Sequence, residues 1–146
     1  MTIIELADAI VAAIAGAPAG SFTDTFTISR KIMPLVELKA MIPGETLVTV
    51  VPVSIDEEGE DRAAVMRTHT IDIGVQVKCA VDPEAEVAAF TYLVDSIAKY
   101  IRRRKLQTAL AAHYINMGIA PIASAEHATQ HRVLTSVLRL TYKVLE

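Results

Sequence analysis

Between residues 71 and 79 apolar and polar side chains alternate: Ile71, Ile73, Val75, Val77 and Cys79 on one parity, with Asp72, Gln76 and Lys78 between them. A two-residue period puts the first set on one face of a β-strand, so this stretch predicts a strand with one buried and one wet face. Just downstream the period lengthens. Asp82 suits an N-cap, Pro83 the first helical position, and Glu84 and Glu86 the positive end of the helix dipole. Val87, Phe90, Val94, Ile97 and Ile101 then recur at helical spacing, and the basic run Arg102, Arg103, Arg104, Lys105 meets the negative end. An amphipathic helix lying on the sheet that holds the preceding strand is the expectation.

The same reading extends along the rest of the chain. Ile3, Leu6, Ala7, Ile10 and Ile14 share a helical face, with Thr2 and Glu5 spaced as a capping box, and Gly16, Pro18 and Gly20 end the helix. Over residues 21–32, Phe22, Phe26, Ile28 and Ile32 alternate with Thr23, Thr25, Thr27 and Ser29, which predicts a strand. Residues 35–42, bracketed by Pro34 and Pro43-Gly44, carry no clear period. Residues 46–55 are nearly all β-branched or apolar on both parities, as in a strand covered on both faces; Pro52 lacks an N–H, so the strand needs an edge or a bulge there. Residues 113–122 read as a strand ended by Pro121, and residues 124–131 as a polar stretch with room for a helical turn. In residues 133–145, Leu134, Leu138, Leu140, Tyr142 and Val144 face one way and Thr135, Arg139, Thr141 and Lys143 the other. Strands interrupted by two long helices predict an α+β fold, a mostly antiparallel sheet of about four to five strands with both main helices on one face.

At 146 residues, one domain spanning 1–146 is expected, able to bury roughly 70% of its unfolded surface without staples. The single cysteine excludes an internal disulfide and, on the apolar parity of its strand, reads as a buried thiol. No Lys or Arg precedes Arg30 and acids interrupt the first apolar residues, so a secretory signal is not expected, and no apolar run is long enough to span a bilayer. These features predict a protein that is soluble and intracellular when made. A net charge of -3 gives no overall attraction to nucleic acid or to acidic membranes. The hydrophobic fraction of 52% is high even allowing for alanine, which points to apolar surface covered by neighbouring subunits.

The chemistry expected of an enzyme is hard to find. There is no phosphate-binding glycine loop, no paired cysteine ligands and no nucleophile elbow. His127 and His131 have helical metal-ligand spacing but only Glu126 beside them, and two ligands make no site. His69 and His113 fall inside strands with no companion carboxylate in sequence. The catalytic, metal-binding and cofactor-binding expectation is therefore none. Charge, by contrast, is segregated: Asp56, Glu57, Glu58, Glu60 and Asp61, with Arg62, surround a glycine between two strands, while Arg102, Arg103, Arg104 and Lys105 end a helix. The acidic stretch reads either as a solvated hairpin tip or as a projecting arm that docks on a basic surface.

The order helix, strand, Thr46-Leu-Val-Thr-Val-Val-Pro52, acidic hairpin, Ile71-Asp-Ile-Gly-Val-Gln-Val-Lys78, acid-started helix and closing Val133-Leu-Thr-Ser-Val-Leu-Arg-Leu-Thr-Tyr-Lys-Val144 resembles small tail proteins of long-tailed bacteriophages, most closely the tail terminator or tail completion group. The resemblance covers nearly the whole chain, apart from residues 106–130. It implies a structural virion protein at the junction of tail and neck, made in the host cytoplasm. Such a protein forms a ring, usually of six copies, on the head-proximal end of the tail tube. There it ends tube polymerisation, with the tail tube protein on one side and a neck or head-completion protein on the other, and DNA passes through the lumen without sequence-specific binding.

A closed ring needs heterologous contacts, one patch meeting a different patch on the next copy. The acids at residues 56–61 are expected to approach the cations at residues 102–105 of a neighbour, or a basic patch on the tube. Exposed ion pairs of this kind contribute on the order of 0–1 kcal/mol each and set orientation, while apolar burial holds the assembly. Two other readings remain open: a neck or head-closure connector one layer nearer the head, and a small-ligand-binding domain with His113 or Cys79 lining a pocket.

Overall fold

The capping box at the start of the chain forms as its spacing predicts. Glu5 N–H donates to the Thr2 hydroxyl at 3.1 Å, Thr2 N–H donates to the Glu5 carboxylate at 2.7 Å, and helix α1 runs Ile3–Ala15 with Leu6, Ala7, Ile10 and Ile14 buried. The computed structural model describes residues 1–18, 20–22, 25–32, 41–59, 65–103, 106, 112–120, 124, 127–128 and 131–145. After α1 come strand β1 (Thr27–Arg30), the hairpin strands β2 (Thr46–Gly59) and β3 (Val65–Lys78), helix α2 (Pro83–Arg103), β4 (Ala112–Ile119) and β5 (Val133–Leu145).

The strands make one five-stranded sheet in the order β1-β2-β3-β5-β4, antiparallel except where β1 runs parallel to β2. Both helices pack on the same face, α1 over β1 and β2, α2 over β5, and they touch each other; the fold is α+β. The buried stripe of α2 (Phe90, Leu93, Val94, Ile97, Ala98, Ile101) meets the apolar parities read from the strands: Val48 and Val50, Ile71, Ile73 and Val75, and Leu134, Leu138, Leu140 and Tyr142. The Tyr100 hydroxyl donates to the Ala13 carbonyl at 3.0 Å and ties α2 to the end of α1, with Phe22 edge-on to the Tyr100 ring.

Three expectations change. The strand expected over 21–32 is confined to Thr27–Arg30: Phe22 turns onto Tyr100 and Phe26 in place of joining a ladder, and Ile32 lies exposed beyond the strand. The strand expected over 46–55 instead continues through Asp56, Glu57 and Glu58 to Gly59, because Thr68, Arg67 and Met66 of β3 supply partners at each step. Finally, Asp72 and Gln76, read as lying on a wet face, are 7% and 0% exposed. Described residues from before β5 bond to this part of the sheet: the His127 ring bonds the Thr135 hydroxyl at 2.8 Å, Lys78 Nζ donates to the His131 carbonyl, and Ser124 N–H donates to the Thr135 carbonyl. Asp72 accepts two hydrogen bonds from the Arg139 guanidinium, at 2.9 and 3.0 Å, so its charge is buried with a partner. This pairing raises the Arg139 pKa above its already high ordinary value, first through the hydrogen bond and then through the charge of Asp72.

Candidate functional site

The two edges of the sheet are unlike, and each carries residues that no described part of the chain covers. On one side β1 flanks β2 only from Leu47 to Val50, and the last bond across that seam is Lys31 N–H to the Val50 carbonyl at 3.0 Å. Past this point, among the described residues, no strand pairs with the outer side of β2, and residues 53–59 are exposed. Pro52 sits where the free edge begins. Main-chain groups along a strand alternate in direction, so Pro52 shares the outward direction of Val50, and its missing donor takes nothing from the ladder. The register shifts between Pro52 and Ser54, so the edge and the bulge expected at Pro52 are both present.

The acids on this edge divide between the two faces. Glu57 lies opposite Arg67 in the ladder and accepts from its Nε at 2.9 Å, an exposed pair of small energetic weight. Asp56 and Glu58 fall on the alternate parity, on the face away from the helices. Glu60, Asp61, Arg62, Arg104 and Lys105 lie outside the described residues. Arg102 and Arg103 occupy the last turn of α2, exposed, on the helix layer and so not on the face of Asp56 and Glu58.

The other edge is β4. It too bulges, between Tyr114 and Asn116, and exposes His113, Ile115, Asn116 and Gly118. Beside it Lys143 of β5 is exposed, level with His113. Lys143 escaped the sequence reading as a site residue because strand order decides which cations reach an edge, and periodicity carries no information on order. Nearby, Ala88, Thr91, Tyr92, Val94 and Asp95 of α2 form an open groove with Ile119 of β4, and Tyr92 stands well out of the surface.

The residues held in view for chemistry are placed apart. Cys79 is buried, and its pKa is raised to about 11, first by burial and then by the charge and hydrogen bond of Glu86, so the thiol is neutral and a poor nucleophile. A group whose folded pKa is raised supports the fold below its unfolded pKa, near 9, and loses that support as pH climbs toward about 11. Melting temperature should therefore fall across this window, and Cys79→Ala should fall less steeply over the same pH range; parallel slopes would remove Cys79 from the explanation. His69 is buried in β3 and His113 exposed in β4. Among the described residues no group of three or more His, Cys, Asp or Glu is arranged to hold a metal ion, and no helix is long and apolar enough to cross a membrane. No family model and no curated protein sequence matches the chain.

Proposed function

We propose that this chain is a structural assembly protein of a long-tailed phage, a tail terminator that forms a ring, of six copies by its resemblance, on the head-proximal end of the tail tube and joins the tube to the neck. The observation that carries this reading is the half of β2 that has no outer partner among the described residues: residues 53–59 are exposed there, Val53 and Ile55 and three acids among them. A long unpaired edge invites pairing with another chain, and solitary domains shorten or cover such edges. Here the acids oppose pairing of the edge with its own kind, and leave it open to a surface of opposite sign.

Apolar burial and main-chain pairing would hold the copies together, while the charges select orientation. No substrate, cofactor or metal is needed for this role, and DNA would pass through the lumen without being read. Sedimentation velocity with electron microscopy of the full chain, over a concentration series and with tail tubes added, tests the reading. Closed rings of uniform size, free or seated on tube ends, are the expected result. A monomer at every concentration that leaves tube ends bare overturns it, as does a dimer whose formation depends on a small ligand.

A further inference from the structure

The two edge strands carry their irregularities one row apart in the sheet. The shift in β2 falls between the partners Ile71 and Thr70 of β3, and the shift in β4 falls between the partners Tyr142 and Thr141 of β5; Ile71 and Thr70 lie opposite Leu140 and Thr141. Each bulge turns out one β-branched side chain, Val53 on one side and Ile115 on the other, each 43% exposed. Two rows nearer the hairpin tip than Thr70 and Thr141, a single row of register partners crosses the sheet as Asp56, Thr68, Lys143, His113. Negative charge thus ends the row at one edge and positive charge lies near the other, on the same face.

Strand direction agrees with this match. β2 and β5 both run antiparallel to β3, and β4 runs antiparallel to β5, so β4 is antiparallel to β2. If two copies stand side by side in one orientation, β4 of the first meets the free half of β2 of the second as an ordinary antiparallel neighbour. β1 does not obstruct it, because it covers only the other half of β2.

We propose that the free half of β2 in one copy pairs with β4 of the next, joining their sheets edge to edge, with Val53 one row from Ile115 and with Asp56 and Glu58 facing His113 and Lys143. The pairing rests on the ring reading and names the contact that closes the ring. Lys143 stands one strand behind the seam, and its flexible stem spans the strand spacing of about 4.8 Å. Pairing of β2 with β2 would set Asp56, Glu57 and Glu58 against the same acids, so the contact is heterologous, as a ring requires. Arg102 and Arg103, on the helix layer, are left for the tube or the neck.

Cysteine trapping on the full chain tests this contact. Facing strands lie about 4.8 Å apart and one row is about 3.4 Å, so an offset of one row leaves the two Cα atoms about 6 Å apart, inside the range a disulfide spans. Val53→Cys and Ile115→Cys are prepared separately, mixed with tail tubes present, oxidised mildly and alkylated before denaturation; the native Cys79 thiol is buried. A disulfide dimer is expected in the mixture and in neither variant alone. Asp56→Lys with Glu58→Lys in the Val53→Cys chain should abolish the dimer, and Lys143→Glu in the Ile115→Cys chain should restore it, whereas Arg102→Glu with Arg103→Glu in that chain should not. Rings that form without the mixed disulfide, or Val53→Cys dimers alone, overturn the edge pairing and leave the ring reading in place. Failure to form rings or to cap tubes overturns both.

Discussion

Leu138→Ala should lower the free energy of unfolding by about 2–5 kcal/mol, enough to bring the melting temperature down by roughly 10 °C in a chain of this size. Leu138 is fully buried in β5, between Ile73 of β3 and Ile119 of β4, on the face where α2 packs. Truncation removes the transfer free energy of its side chain and leaves a cavity under the helix. That void is hard to close, because ladders on both sides of β5 fix the backbone. Leu138→Met, which conserves volume, should cost less than about 1.5 kcal/mol. Urea unfolding of dilute protein, with the slope of the transition unchanged, measures the difference. A loss below 1 kcal/mol for the alanine variant would mean that β5 is not held between helix and sheet as described.

The same residues show how much of the fold is legible in the sequence. Strand β5 could be read to within a residue because its alternation holds from Leu134 to Val144 with breaks at Ser136 and Val137 alone, and helix α2 because its cap, first-turn acids and stripe agree. The second half of β2 could not. Asp56, Glu57, Glu58 and Gly59 have poor intrinsic strand preference, and it is pairing with Met66, Arg67 and Thr68 that keeps them extended. Asp72 and Gln76 look wet by alternation alone; Arg139 pairs with the first, and His127, distant in sequence, bonds Thr135 beside the second, contacts that leave no trace in a local period. The candidate site divides in the same way. The acids and Pro52 mark one edge plainly, whereas the opposing edge depends on β4 lying outside β5, an order that only the folded chain determines.

Tyr142 should separate packing from hydrogen bonding. It is 2% exposed, faces the helix layer opposite His69 in the ladder, and lies edge-on to Tyr114 with ring centroids 6.0 Å apart. Tyr142→Ala should cost about 3–5 kcal/mol, the usual result of emptying a buried aromatic site. Tyr142→Phe should do the opposite. Among the described residues the phenol oxygen has no hydrogen-bond partner, so the fold bears the desolvation of a polar group without return. Removing that oxygen keeps the ring against Tyr114 and should raise stability by on the order of 1 kcal/mol. Burial, and secondarily Tyr114, also pushes the phenol pKa well above its ordinary value near 10, so wild-type stability falls as pH rises past that value, and the phenylalanine variant lacks this loss. Unfolding measured at neutral and alkaline pH decides the matter: a phenylalanine variant less stable than wild type at neutral pH would show that the hydroxyl is bonded in solution, and that this end of the core is held by polar contacts as well as by packing.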